Sequence, residues 1–234
     1  HHYGPSYCSH FQNKNWGAGP GRTRIINFFP VNHIACVVDI SCFALVWGGA
    51  IVFMEQFDPA ETLRTIECEK MTVLGGVPTM LQLIFAEPDV DNHDLSSLKT
   101  IASAGAAAPE ALVRKMQGYA TLVSTGYGMT ETVGQVTFSA PDADAEQIAN
   151  SIGLPVPEYD MRIAGANGHP MTKGEEGEIQ VRGDFIFLAY FNRPDAIAET
   201  FTVDGWLRTG DIAIERPDGY WKMVGRMKEM YKSG

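Results

Sequence analysis

Ser124-Thr125-Gly126-Tyr127-Gly128-Met129-Thr130-Glu131-Thr132 follows the apolar run Thr121-Leu122-Val123. The run reads as a short buried strand, and the glycines flanking Tyr127 free the backbone for turn geometry and for close approach to a ligand. A ring at Tyr127 can stack on a base, Thr130 can donate to a phosphate oxygen, and Glu131 can ligate the Mg²⁺ that accompanies polyphosphate. The same residues also read as a tight turn at a strand end, with a core tyrosine and a solvated glutamate. A short motif of this kind therefore needs support from the rest of the chain.

Upstream, short β-rich runs alternate with helical stretches. Strands are expected at 24–29, 50–54, 71–77, 98–103 and 121–124, and helices at 32–47, 59–70, 78–86 and 109–117. Asp58 followed by Pro59 is an N-cap and first-turn pair. Such alternation requires crossover connections, which gives an α/β fold with a mostly parallel sheet covered by helices on both faces. Ligands bind beyond the carboxyl ends of such strands, so Ser103-Ala104-Gly105 and Gly126-Tyr127-Gly128 fall on one rim.

After a polar break at 141–150 the pattern changes to short strands at 161–164, 177–182, 206–208, 212–215 and 220–224, with Asn167-Gly168 and Asp218-Gly219 as turn signals and one helix at 194–200. This suggests a small β-rich subdomain, a distorted barrel, beside the α/β unit. The expected division is 1–145 for the α/β part, 146–225 for the β-rich part and 226–234 for a hinge.

Composition narrows the function. The chain has 234 residues, 45% hydrophobic, with a formal net charge of -10, and chains of this size bury roughly 70% of their unfolded surface. A surplus of acidic residues argues against nucleic acid as a partner, because phosphate-backbone binding needs a basic face. The longest apolar stretch, 34–47, is interrupted by Asp39 and Ser41, so it reads as a buried helix and no transmembrane segment is expected. Cys8, Cys36, Cys42 and Cys68 form no CxxC pair and read as reduced, buried thiols of a cytoplasmic protein. His1, His2, Cys8 and His10 match no zinc-ligand spacing.

Near the other end, Gly205-Trp206-Leu207-Arg208-Thr209-Gly210-Asp211 and Gly225-Arg226-Met227-Lys228-Glu229 supply two further motifs. Asp211 after a glycine can accept hydrogen bonds from two vicinal hydroxyls, or it can stabilise a turn. With the loop around Tyr127, the order and spacing of the three motifs resemble the adenylate-forming superfamily of acyl-CoA synthetases, luciferases and peptide-synthetase adenylation domains. The likeness covers nearly the whole chain and leans to the acyl-CoA synthetase branch.

That resemblance implies ATP and Mg²⁺ as cofactors, with coenzyme A and a small-molecule carboxylic acid as cosubstrates. It implies nucleotide contacts at Gly105, Ala106, Gly126, Tyr127, Gly128, Thr130, Asp211 and Arg226, with Thr130, Glu131 and Lys232 as catalytic groups, Glu131 on the metal and Lys228 at the hinge. His33, Val77, Ser103 and Gly105 would border the acyl pocket. Ala104 and Ala107 stand where glycine and proline are frequent in the family, and Asn32 where a bulky residue is usual. A phosphate loop is expected before residue 1 and a lid after Gly234, so the stretch alone would not turn over. The expected alternatives are a non-catalytic nucleotide-binding module or a peptide-synthetase adenylation domain. The oligomeric state stays open, a homodimer being one expectation.

Overall fold

The computed structural model describes residues 12, 14, 16 and 23–227. Five strands form one parallel sheet: β1 (Arg24–Asn27), β2 (Ala50–Phe53), β3 (Val73–Gly76), β4 (Thr100–Ala104) and β5 (Leu122–Gly126), in the order β2-β1-β3-β4-β5. The helices α1 (Phe43–Val46), α2 (Pro59–Glu69), α3 (Pro78–Ala86), α4 (Glu110–Gln117) and α5 (Ala145–Ala149) fall between and after these strands. The Asp58 carboxylate caps α2 by accepting from the Glu61 N–H at 2.7 Å, ahead of Pro59 in the first turn.

Successive residues of a strand point to opposite faces, and this chain uses both. Ile26, Leu74, Ile101 and Val123 pack against Leu63 and Ile66 of α2, Leu81 and Phe85 of α3, and Met116 of α4. Ile25, Val73 and Ala102 turn the other way, into a second cluster with Ile40, Phe43, Ile163, Ile179, Val181 and Leu207. The segment that leads into α1, Ala35–Cys42, is a π-helix, so the helix expected over 32–47 is helical but under-wound.

Two small antiparallel ladders follow β5. The strand β6 (Gly128–Met129) pairs with β7 (Gly134–Gln135), and β8 (Thr137–Phe138) with β9 (Leu154–Pro155). The second sheet is antiparallel, β10 (Asp160–Ala164), β11 (Gly177–Arg182), β12 (Leu207–Glu215) and β13 (Trp221–Arg226), in chain order. It is an open sheet, with β10 and β13 at its edges, and the expected barrel does not close among the described residues. The two strands expected at 206–208 and 212–215 are one continuous β12. The glycine between them, Gly210 at φ +73°, is absorbed in a bulge rather than a turn. Helix α6 (Pro194–Thr200) has no buried residue and flanks this sheet. No helix among the described residues is long and apolar enough to cross a membrane.

Cys36 is buried, but Cys42 is half-buried and Cys68 exposed, against the expectation that all are core thiols; Cys8 lies outside the described residues. Cys68 sits in the last turn of α2 on its solvent side, where helical periodicity places it.

Candidate functional site

Strands β4 and β5 end side by side, with Ala104 opposite Gly126, so that Gly105 and Tyr127 leave the same rim of the parallel sheet. Gly105 takes φ +85°, a left-handed geometry that suits glycine. Gly126 and Gly128 are required for a different reason. A Cβ on Gly126 would run into the Thr137 carbonyl and the Gln135 side chain, and one on Gly128 into the Gly134 carbonyl. Their smallness lets the loop fold onto its own β6–β7 ladder, and neither needs a left-handed backbone as the sequence suggested. The Tyr127 N–H is held by the Thr137 hydroxyl at 2.8 Å.

Tyr127 then reaches across the gap between the two sheets. Its hydroxyl donates to Asp211 Oδ2 at 2.7 Å, joining residues 84 apart in sequence. Burial, and secondly the Asp211 charge, push the Tyr127 phenol well above its ordinary range, so it stays protonated and donates. Asp211 owes its place to the bulge. Gln180 pairs with Arg208 and Glu178 with Ile212, leaving Thr209, Gly210 and Asp211 opposite Ile179 alone. The Thr209 hydroxyl donates to the Ile179 carbonyl at 2.7 Å and accepts from the Asp211 N–H at 3.1 Å, and Gly210 N–H is held by Glu178 at 3.1 Å. Arg226, opposite Asp211 on β13, closes the set with an ion pair at 3.0 Å; its side chain is 67% exposed and that of Asp211 only 5%.

Three recesses meet at this point, and Gly128 lines them all. A cleft of about 670 Å³ is bordered by Gly105, Ala106, Gly126, Tyr127 and Arg226. A second, of about 850 Å³, is bordered by Glu131, Tyr190, Thr209, Asp211, Arg226 and Met227. The third is an apolar cavity of about 140 Å³ behind Gly105, Gly126 and Gly128. The nucleotide residues expected from sequence are thus brought together, with Thr130 the exception: it is exposed on a 3₁₀ turn, Thr130–Thr132, and lines none of the three.

Glu131 stands at the rim of the second cleft, where its carboxylate accepts from the Tyr190 hydroxyl at 2.6 Å. Burial, with that bond, pushes the Tyr190 phenol up to about 12. Among the described residues no three His, Cys, Asp or Glu side chains converge. A single carboxylate fits Mg²⁺ nonetheless, because this ion keeps most of its waters and takes substrate phosphates as further ligands. Lys228 and Lys232 lie outside the described residues.

Of the residues expected at the acyl pocket, His33, Val77 and Gly105 line the apolar cavity. His33 is exposed, and its Nδ1 accepts from the Ala35 N–H at 3.1 Å, so the ring also caps the start of the π-helix. Ser103 does not reach the cavity: it is fully buried with its hydroxyl unpaired, on the face of β4 opposite Ala102 and Ala104, both of which do. Sequence reasoning passed over two functional candidates. Tyr190 carried no local signal, since its tie to Glu131 spans 59 residues. Asp39 did carry one, as the charge interrupting the apolar run, and it lines the cavity as a buried carboxyl.

The sequence profile of a family described as AMP-binding enzyme matches residues 5–191. Among curated relatives, a feruloyl-CoA synthase of Amycolatopsis is 38% identical over 205 residues, covering 88% of this chain and 41% of the relative. A medium/long-chain-fatty-acid–CoA ligase, FadD8 of Mycobacterium tuberculosis, is 34% identical over 220 residues, covering 94% of this chain and 38% of the relative. The chain therefore spans about two fifths of the length of these relatives. Among solved structures, O-succinylbenzoate coenzyme A synthetase from Bacillus subtilis in complex with ATP and magnesium ion superposes with a TM-score of 0.87. It is 27% identical, with 99% of this chain and 47% of that chain covered.

Proposed function

The chain belongs to the AMP-binding enzyme family, and on that premise we propose that it carries the nucleotide and acyl sites of an AMP-forming acid–thiol ligase, an acyl-CoA synthetase. The observation that carries the proposal is the buried Tyr127–Asp211 hydrogen bond, which joins the loop after β5 to the bulge of β12 within one set of clefts. Both oxygens of Asp211 already accept, from Tyr127 and from Arg226. A carboxylate offers about four acceptor positions, so two remain for the vicinal hydroxyls of a ribose.

In this reading the base lies against Gly105, Ala106 and Tyr127, and the phosphates run toward Glu131 and Arg226. A carboxylic acid in the apolar cavity is placed with its carboxylate at Gly105, one of three glycines that this cavity shares with the cleft of about 670 Å³. The carboxylate attacks the α-phosphate of ATP, pyrophosphate leaves, and the acyl-adenylate is then cleaved by the thiol of coenzyme A with loss of AMP. Mg²⁺ held by Glu131 would supply charge neutralisation on the phosphates. The protein's share is largely positioning and preorganised charge. Met227, at the end of β13, bonds its N–H to the Gly210 carbonyl at 2.8 Å, so the chain leaves the second sheet beside the clefts. Lys228 next to it is the proposed hinge, and Lys232 the lysine that would approach the reacting groups.

Isothermal titration of the chain with AMP tests the reading. We expect saturable binding that Asp211→Asn weakens by about tenfold, the equivalent of one hydrogen bond to a charged group. Absence of AMP binding by the folded wild-type chain, or unchanged affinity in Asp211→Asn, would overturn it.

A further inference from the structure

The apolar cavity holds one group out of keeping with its walls. Ile25, Phe29, Ile40 and Ala102 make it hydrophobic, yet Asp39 projects from the π-helix into the same lining. Asp39 Oδ1 accepts from Gln12 Nε2 at 2.8 Å, and Gln135 lines the same cavity. Among the described residues no cation pairs with Asp39. Two neighbours carry buried polar atoms without partners among the described residues: Gln12 Oε1, and the indole nitrogen of Trp16, whose ring lines the cavity.

A buried carboxyl without a counter-ion in an apolar wall costs stability, and an aliphatic side chain would fill the position better. A cavity near 150 Å³ accommodates one benzene ring and stays dry when its lining is apolar. Here the volume is about 140 Å³ and part of the lining is polar.

Building on the ligase reading, we propose that Asp39 is a specificity-determining anchor for the acyl substrate, selecting single-ring carboxylic acids with a hydrogen-bonding ring substituent over unsubstituted rings and alkyl chains. The ring fills the space between Ile25, Phe29 and Ile40, and its carboxylate lies at the glycine mouth shared with the cleft of about 670 Å³. Asp39 borders this cavity and neither cleft, so it meets the part of the substrate away from the reacting carbon. Burial pushes the Asp39 carboxyl up to about 7, so near neutrality both protonation states are accessible, one accepting from a phenolic hydroxyl and the other donating to an ether or carbonyl oxygen.

The test uses stable acyl-adenylate mimics, 5′-O-(N-acylsulfamoyl)adenosines, whose adenosine half reports on the ligase reading and whose acyl half reports on Asp39. The 3- and 4-hydroxybenzoyl, benzoyl and octanoyl compounds are titrated against wild-type chain, Asp39→Leu and Asp39→Asn. At least one hydroxybenzoyl mimic should bind wild type about tenfold more tightly than benzoyl, and octanoyl most weakly. Asp39→Leu should erase the preference for the hydroxyl, and Asp39→Asn should keep part of it. Equal affinity of wild type for hydroxybenzoyl and benzoyl, tighter octanoyl binding, or a preference that survives in Asp39→Leu would overturn the proposal. Should the leucine variant not fold, the wild-type comparison and Asp39→Asn decide. Binding of AMP without acyl discrimination removes the role of Asp39 alone, whereas failure to bind AMP and every mimic removes the ligase reading with it.

Discussion

Asp39 and Glu131 are both carboxylates of the candidate site, the first lining the apolar cavity and the second standing at the rim of a cleft. Asp39 is buried and its proton is held up to about 7 against an ordinary value of 3.8. Between about pH 4 and pH 7 the unfolded chain gives up this proton while the folded chain keeps it, so the residue's contribution to stability falls as pH rises. Asparagine, never charged, escapes that penalty. Asp39→Asn should therefore match wild type near pH 3 in denaturant unfolding and exceed it at pH 8, by up to about 4 kcal/mol from the size of the shift. A constant difference across that range would mean that Asp39 is solvated in the folded protein. Glu131 stands at a cleft rim, where its carboxylate accepts from the Tyr190 hydroxyl. Glu131→Gln keeps that bond but offers a hard cation a much poorer ligand. In the full-length gene product we expect adenylation at limiting Mg²⁺ to fall at least tenfold with Tm unchanged, and undiminished pyrophosphate exchange would take Glu131 out of the site.

The loop between β5 and β8 shows how elements build the site from close backbone contacts. Gly128 faces the Gly134 carbonyl across the β6–β7 ladder, and a backbone atom cannot swing aside as a side-chain tip can. Gly128→Ala should open this ladder, cost about 1–3 kcal/mol or more, and weaken AMP binding along with stability. An alanine variant with wild-type Tm would show that the ladder is free to shift. This element also marks how far the sequence could be read. Alternation of apolar runs and caps such as Asp58-Pro59 made the parallel sheet and its helices legible, because those signals are local. The glycines of the loop were legible as special, but their reason was not, since the atoms they avoid belong to strands formed later in the chain. The merging of two expected strands into β12 was hidden for the same cause: Thr209-Gly210 looks like a turn until β11 supplies the pairing that makes it a bulge. The π winding of Ala35–Cys42 had no compositional mark at all. The candidate site was legible through its three motifs, while Tyr190 and the neighbourhood of Asp39 depended on tertiary contacts.

At the scale of the whole molecule the two sheets do not keep separate cores. Ile25, Val73 and Ala102 of the parallel sheet share a cluster with Ile179, Val181 and Leu207 of the antiparallel one. Ile179→Ala, at a fully buried position on β11, should cost about 2–5 kcal/mol and move a single unfolding transition, seen alike by calorimetry and by far-ultraviolet dichroism. Two resolved transitions, with only one displaced, would show that the sheets melt independently. The two-faced parallel sheet also divides labour between neighbouring residues. Ile25 lines the apolar cavity, whereas Ile26, one step along β1, packs among the helices on the far side. A mutational scan of β1 and β4, whose cavity-lining residues Ile25, Ala102 and Ala104 alternate with residues that do not line it, scored separately for abundance and for ligand affinity would therefore oscillate, residue by residue. Every substitution would tax abundance, and every second one would also rewrite preference, which makes strand parity a guide for re-engineering the pocket without searching the rest of the chain.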